Sequence, residues 1–390
     1  MMILFPDFHS AGRATVALRD SNAVDAVEVF DRASLAEGEK DANMCELLPG
    51  LAGCGAECAA LLIECRGADE EKLHARIATA TGALLESKTV SEETVEKYPF
   101  RHDEKVYCAF WDFRKGLIPM VGASRVAGTS MLIEDVACPV ENLADMSCDL
   151  IAMFKRNNYK ASVFGHAMEG NMHLVFAQGF NDGEDLDQFS DMMDDMCNIV
   201  AVKYGGSLKG EHGTGRNVAP YVELEWGKRA TDIMWRVKQL FDPEGMLNPG
   251  VILNVDPLVH LKNLKPSPLA SKLVDRCIEC GFCESNCPSK DLSLTPRQRI
   301  TTWREVNRLQ RLVDSGLSQP SDRTRLVEMR EGYEYDGIDT CAADGMCQEK
   351  CPVRVAARAA AAAAALSRSP PPLSSVGENQ HGRPDQVDPR

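Results

Sequence analysis

The sequence predicts an α+β domain followed by a smaller, mainly α-helical module rich in cysteine. Up to about residue 253, strand and helix signals mingle without a strict strand–helix–strand repeat, the pattern of an α+β fold. Residues 254–275 carry Pro257, Pro266 and Pro268 with several lysines, the composition of a linker. Beyond them the cysteines crowd together, in CIECGFCESNCPS and again in CAADGMCQEKCPV. The expected division is a first domain over 3–253, a linker over 254–275, a cysteine-rich module over 276–355 and a disordered tail over 356–390.

Within the first domain, TVAL (Thr15 to Leu18) and ALLIEC (Ala60 to Cys65) are apolar runs of strand length. The apolar spacing from Val24 to Phe30 and the polar, periodic stretch from Ala68 to Ala80 predict helices. Further helices are expected from Glu104 to Lys115, Val140 to Asn157, Asp185 to Tyr204 and Tyr221 to Phe241. Strands are expected from Ser130 to Val136, Ser162 to Phe164 and Asn171 to Phe176. No repeat of solenoid period is evident. The tail opens on an alanine run, Ala359 to Ala365, and ends in SRSPPPLSSVGENQHGRPDQVDPR, too poor in apolar residues for a core. So abrupt a change of character suggests a truncated or shifted reading frame.

With 390 residues, 44% hydrophobic and 26% charged, the larger module can bury a sizeable core. A formal charge of −15 and a pI near 5.1 exclude nucleic acid or an anionic membrane as the main partner, since both demand a clustered positive field. The opening MMILFPDFHSAGR is interrupted at Pro6 and Asp7, and nowhere do eighteen apolar residues run together, so neither a secretory signal nor a transmembrane segment is expected. The expected location is inside a cell, cytoplasmic or mitochondrial and unanchored.

In such a reducing setting the fifteen cysteines speak for metal or cluster binding rather than disulfides. Cys45, Cys54, Cys58, Cys65, Cys108, Cys138, Cys148 and Cys197 are irregularly spaced among apolar neighbours and are expected to be buried structural thiols. Cys277, Cys280, Cys283 and Cys287 are different. They form CxxCxxCxxxCP, whose short spacings let three thiolates wrap one face of an iron–sulfur cubane while the fourth reaches a second cluster. A zinc knuckle would need two separated CxxC pairs and leaves the cysteine–proline ending unexplained. Cys341, Cys347 and Cys351 supply a second half with the same ending. By the rule of exchanged ligands, Cys277, Cys280, Cys283 and Cys351 hold cluster I, and Cys341, Cys347 and Cys287 hold cluster II. Cluster II is one cysteine short, and Asp344 stands in the vacant position, either as a carboxylate ligand or as the turn residue of AADG.

Two further segments gather polar residues that an ordinary core would keep apart, GHAMEGNMH (165–173) and GEHGTGR (210–216). His166 ends one apolar strand and His173 opens the next, so a tight turn at Gly170 would bring both imidazoles to one divalent metal, with Glu211 as third ligand. The competing reading is a pair of satisfied core histidines. A dinucleotide-binding loop fits GEHGTG poorly, because Glu211 would repel phosphate and the glycine order is wrong.

GHAMEGNMH, SLKGEHGTGRN and FDPEGMLNPGVILN resemble the signature segments of the FAD-linked oxidase C-terminal domain, found in flavoproteins of the vanillyl-alcohol oxidase and p-cresol methylhydroxylase superfamily. Followed by CIECGFCESNCPSKDLSLTPRQRI, they resemble fused flavin and iron–sulfur D-lactate or D-2-hydroxyglutarate dehydrogenases, over about residues 3–354. The resemblance implies a ferredoxin-like antiparallel sheet with helices, then a dicluster 4Fe-4S module. It implies a divalent metal, zinc or a similar ion, on His166, His173 and Glu211, with His212 as the base. Asn171 matches a substrate hydrogen-bonding position, Arg114 an arginine that grips the substrate carboxylate, and Asn248 a position lining the flavin. The residue types suit these roles, since a guanidinium forks onto a carboxylate, a metal polarises a hydroxyl and a neutral imidazole removes its proton.

The implied reaction takes a D-2-hydroxyacid to a 2-oxo acid, with hydride passing to FAD and electrons leaving through the clusters to a quinone, a cytochrome or an electron-transfer flavoprotein. The family's N-terminal FAD-binding domain has no counterpart here, so FAD is expected to be held largely by a separate domain or subunit. A non-catalytic iron–sulfur electron-transfer subunit or fragment, working with a separate flavoprotein chain, is the alternative.

Overall fold

The computed structural model describes residues 1–180 and 183–356, and the expected tail lies outside them from residue 357 onward. The chain forms two compact units, Met1–Leu269 with Asp275–Cys280, and Ala270–Val274 with the chain from Gly281.

In the first unit six strands, β1 (Met2–Phe5), β2 (Ala26–Phe30), β3 (Ala59–Glu64), β4 (Ser130–Ala137), β5 (Ala161–His166) and β6 (Asn171–Gln178), form one sheet in the order β1-β3-β2-β5-β6-β4. Every neighbouring pair is antiparallel, as an α+β fold requires. Among the described residues nine helices accompany it: α1 (Phe8–Asp20), α2 (Arg32–Gly38), α3 (Ala42–Leu47), α4 (Glu70–Glu86), α5 (Glu92–Lys97), α6 (Glu104–Ala123), α7 (Leu143–Arg156), α8 (Gly183–Cys197) and α9 (Val222–Phe241). The inner strands β3 and β6 are buried almost throughout, so both faces of the sheet are covered and their sequences run apolar without alternation.

Two expectations fail near the start of the chain. Val24 to Phe30 does not form a helix; Ala26–Phe30 is a strand paired with β3 on one side and β5 on the other. Five residues with alternate valines gain more from two ladders than from one helical turn. TVAL is not a strand but lies inside α1, which Asp7 starts by accepting the Ser10 amide at 2.7 Å. Phe8, Ala11, Ala14, Thr15 and Leu18 bury one face of that helix, which outweighs the strand preference of Thr15 and Val16. The edge strand β1 carried no expectation. Of the eight scattered cysteines, Cys58, Cys138 and Cys197 are buried, Cys45, Cys54, Cys65 and Cys148 are half-buried, and Cys108 is exposed, against the expectation of burial. Burial pushes the Cys58 and Cys138 thiols up to about 12, so both are inert.

The second unit is helical: α10 (Pro296–Asp314) starts on a capping box of Thr295 and Gln298, and α11 (Pro320–Tyr333) packs against it. Trp303 stacks on Tyr333 at 5.5 Å, and the short α12 (Met346–Glu349) carries Cys347. Among the described residues no helix is long and apolar enough to cross a membrane.

In the first unit Phe176 is 1% exposed and packs on Phe154 and Tyr159 with ring centroids 5.3 and 5.4 Å away. Phe176→Ala is expected to cost about 3–5 kcal/mol, and Phe176→Leu clearly less, in denaturant unfolding followed by circular dichroism. Equal losses would show that the aromatic packing contributes little.

Candidate functional site

The hairpin of β5 and β6 carries both expected histidines. His166 ends β5, a short turn over Ala167–Glu169 follows, and Gly170 closes it at φ +65°. A Cβ at Gly170 would also lie 2.0 Å from the Cys138 carbonyl oxygen, so only glycine fits. The two imidazoles meet edge to face at 5.2 Å.

Each histidine sits directly opposite a buried carboxylate on the neighbouring strand. Glu28 of β2 is the cross-strand partner of His166, and Asp135 of β4 is the partner of His173. Glu28 Oε1 is 2.7 Å from His166 Nδ1, and its Oε2 accepts Arg114 Nε at 2.6 Å. Burial resists ionisation of Glu28, but the His166 hydrogen bond and the Arg114 charge outweigh it and hold its carboxyl below the usual range. The same hydrogen bond raises the proton affinity of His166 against its own burial. Asp135 Oδ1 lies 3.3 Å from His173 Nδ1, a contact without hydrogen-bond alignment.

The segment from Ser207 to Asn217 crosses the edge strand β4. Ser207 exchanges two backbone hydrogen bonds with Ala137, and the Gly210 amide donates to the Asp135 carbonyl at 3.1 Å. The consecutive acids of β4 then clamp the segment: Glu134 takes Lys209 and Asn217, and Asp135 Oδ2 takes the amides of Glu211 and His212 at 2.6 and 2.8 Å. Asp135 Oδ1 accepts Asn171 Nδ2 at 2.7 Å. Although burial opposes it, the neighbouring His173 imidazole and these donors hold the Asp135 carboxyl well below the usual carboxylate range.

This clamp delivers Glu211. Its Oε1 lies 3.3 Å from His166 Nε2, 3.5 Å from His173 Nε2 and 3.8 Å from His212 Nε2. The His212 ring stacks on His173 at 5.1 Å, nearly parallel. Asn171 Oδ1 is buried beside the group without a hydrogen-bond partner. Distance alone groups Asp135, His173, Glu211 and His212, whose ligand atoms lie within 4.8 Å of one another. Both Asp135 oxygens, however, already accept N–H donors, which makes it a support rather than a ligand. Paired imidazoles, each with a carboxylate behind Nδ1 and with Nε2 turned to a third carboxylate, are the donor set of a divalent first-row ion.

Sequence reasoning missed Glu28 and Asp135. The signal was present, as one acid inside the apolar run AVEVF and an adjacent pair inside MLIEDVA. Asn248 is exposed at φ +44° on the loop after α9 and makes no hydrogen bond to this group among the described residues.

In the second unit, Cys287, Cys341, Cys347 and Asp344 line one recess with Arg299 in its wall. Three thiols and a carboxylate around one hollow fit an iron–sulfur cluster. Asp344 also accepts the Met346 amide at 3.1 Å, the bond of a turn residue. Cys277 and Cys280 belong to the first unit, and Cys283 and Cys351 to the second.

Residues 1–252 match the family described as FAD linked oxidases, C-terminal domain. The chain belongs to this family. Residues 273–355 of this FAD-linked oxidase chain match the 4Fe-4S dicluster domain. It is similar to D-2-hydroxyglutarate dehydrogenase of Haemophilus influenzae, 27% identical over 75% of this chain and 33% of the relative. The Escherichia coli enzyme of the same name is 27% identical over 65% of this chain and 29% of its own length. D-lactate dehydrogenase of Anaerostipes hadrus is 29% identical over 49% and 38%. The chain thus spans about a third of the length of the curated relatives it matches.

Arg114 and Glu28 form a buried pair, their side chains 11% and 4% exposed. Arg114→Ala is expected to cost about 3 kcal/mol at pH 7, because it strands most of a buried charge. Since the Glu28 pKa is depressed on folding, its contribution is present above the unfolded value of about 4.3 and fades as pH falls through the folded one. The gap between wild type and variant in denaturant unfolding should therefore narrow below about pH 4, and a gap independent of pH would place the loss in packing instead.

Proposed function

We propose that this chain forms the substrate-binding and electron-transfer part of a FAD-dependent D-2-hydroxyacid dehydrogenase, of D-lactate or D-2-hydroxyglutarate type. The observation that carries the reading is the convergence of His166, His173 and His212 on Glu211, with Glu28 hydrogen-bonded to the first ring and Asp135 beside the second. The relatives' names point to the same substrate class.

In this reading His166, His173 and Glu211 hold a divalent ion, zinc or a close equivalent, and Glu28 and Asp135 turn each Nε2 toward it. The bound ion would polarise the substrate 2-hydroxyl, the flavin would take the hydride and the clusters would carry the electrons away. His212, with its half-exposed ring, receives the hydroxyl proton at Nε2. Asn171 Oδ1 is the free acceptor for a substrate donor. Arg114 is anchored through Nε by Glu28 and lies over the Phe164 ring at 5.0 Å, and its terminal nitrogens have no hydrogen-bond partner among the described residues, which suits them to a substrate carboxylate.

The second half of the reading is a flavin-binding partner domain. α9 and the loop after it expose Trp226, Ile233, Val237, Leu240, Phe241, Met246 and Leu247, more apolar surface than a lone domain normally shows to water. Asn248 lies on this face, next to Leu247, where the partner's flavin would be lined. The electron acceptor is a quinone, a cytochrome or an electron-transfer flavoprotein.

His173→Ala is expected to remove one non-cluster metal per chain by plasma mass spectrometry. In protein combined with a flavin-binding domain, His212→Ala should lower kcat for the preferred of D-lactate and D-2-hydroxyglutarate by about 10²–10⁴-fold. Unchanged metal content would return the histidines to a structural role, and turnover of neither acid would remove the substrate assignment. The chain purified alone and anaerobically should contain iron and sulfide but little FAD on acid release, whereas stoichiometric FAD would mean that these residues hold the cofactor unaided.

Cluster II is the less robust of the two in this reading, with the hard carboxylate of Asp344 where a thiolate would stand. Air oxidation should give a three-iron signal in electron paramagnetic resonance, and Asp344→Cys should suppress it. Two equally robust four-iron clusters, unaffected by the substitution, would leave Asp344 a turn residue.

A further inference from the structure

Arg299 is the largest fully buried side chain in the described residues, 1% exposed, in the first turns of α10. A guanidinium does not give up its proton in a protein, so the charge is permanent. Its Nε donates to the Gly337 carbonyl at 3.0 Å. One terminal nitrogen donates to Thr340 Oγ1 at 3.1 Å, with Ser293 Oγ and the Asp336 carbonyl at 3.4 and 3.5 Å. The other faces Cys287 Sγ at 3.6 Å. Among the described residues it has no carboxylate partner.

The neighbouring arginine of the same TPRQR segment behaves otherwise. Arg297 is about a third exposed and its charge is met by Glu284 at 2.7 Å. A buried cation left without an anion is unfavourable, and neutral carbonyls and hydroxyls compensate it only in part. The recess beside Arg299 is lined by Cys287, Cys341, Cys347 and Asp344. Each of the three thiols becomes an anion once it ligates iron. The missing counter-charge and the buried cation are therefore at the same recess.

We propose that Arg299 is the fixed counter-charge of the cluster held at Cys287, Cys341 and Cys347, donating a hydrogen bond to the Cys287 sulfur and raising that cluster's reduction potential. The proposal rests on the dicluster reading of the second unit. Cluster potentials respond to net charge and to hydrogen bonds at sulfur, and Arg299 supplies both. One-electron reduction adds one negative charge to the cluster. No proton needs to follow, because the guanidinium is already cationic. The Arg299 main chain is also held, since the Tyr333 hydroxyl donates to its carbonyl at 3.1 Å and Trp303 stacks on that tyrosine. Arg299 is thus a positioning and tuning residue that touches the cluster only through its cysteine.

The test uses the full chain, purified anaerobically and reconstituted with ferrous iron and sulfide. Electrons come from dithionite in a mediated titration followed by electron paramagnetic resonance. Arg299→Gln is expected to shift one cluster to lower potential and leave the other in place, Arg299→Lys to restore most of the shift, and Arg297→Gln to change neither. Unaltered potentials in Arg299→Gln, or an equal shift in Arg299→Lys, would overturn the proposal. A measurement on wild type covers the case in which the glutamine variant does not assemble. Protein labelled with ¹⁵N-arginine should show a nitrogen coupling to the reduced cluster in pulsed resonance that vanishes in Arg299→Lys, and its absence in wild type overturns the proposal alone. A wild-type chain that takes up no cluster at all overturns the dicluster reading and the proposal with it.

Discussion

The arrangement of the first unit depends on two carboxylates buried inside an apolar sheet. Glu28 and Asp135 are 3% and 0% exposed, and an ionised carboxylate at such a position is tolerable only while donors surround it. Each therefore organises whatever lies within reach. Glu28 gathers Arg114 from α6 and His166 from β5, elements distant in sequence. Asp135 gathers Asn171 and the backbone of Glu211 and His212. Loss of any one donor leaves part of a buried charge unmet, at about 1–3 kcal/mol each, so the site is rigid for reasons of solvation before any ligand enters.

The strand order converts this demand into a site. The two histidines occupy adjacent strands, β5 and β6, and their carboxylates the two strands that flank this pair, β2 and β4. The cross-strand register does the rest, since Glu28 faces His166 and Asp135 faces His173 directly. A slip of one residue in either pair would turn a carboxylate to the opposite face of the sheet. The edge of β4 closes the arrangement. An unpaired edge must be covered, and the Ser207–Gly210 backbone covers it while bringing Glu211 to the histidines. Gly210 is needed there because a Cβ would lie 2.0 Å from Asn171 Nδ2.

How much of this was legible in the sequence follows from which interactions are local. The cysteine spacings, the turn at Gly170 and the Glu211–His212 pair are short-range patterns, and of the residues they named His166, His173, Glu211 and His212 lie together, as do Cys287, Cys341 and Cys347. The supports were not legible, because a register is a relation between strands far apart in the chain. Glu28 was further hidden by the helical reading of Val24 to Phe30, in which a glutamate is an ordinary surface residue. Arg299 was invisible for a similar reason. In TPRQR nothing distinguishes it from Arg297; only the packing of α10 on Tyr333 and Thr340 buries one and leaves the other with Glu284.

The two units meet opposite electrostatic demands by the same means. In the first, buried anions stand behind imidazoles, making their outward nitrogens good donors to a cation. In the second, a buried cation stands behind a cysteine whose thiolate would belong to an anionic cluster. In both, the charge closest to the ligand group is offset by a second charge that does not itself touch the ligand, fixed by backbone carbonyls, amides or a cross-strand partner. A fixed charge reorganises little when the ligand group changes its own charge, so the cost of preparing each site is met in folding rather than at each turnover. Glu28, Asp135 and Arg299 are accordingly among the least exposed polar groups of the described residues.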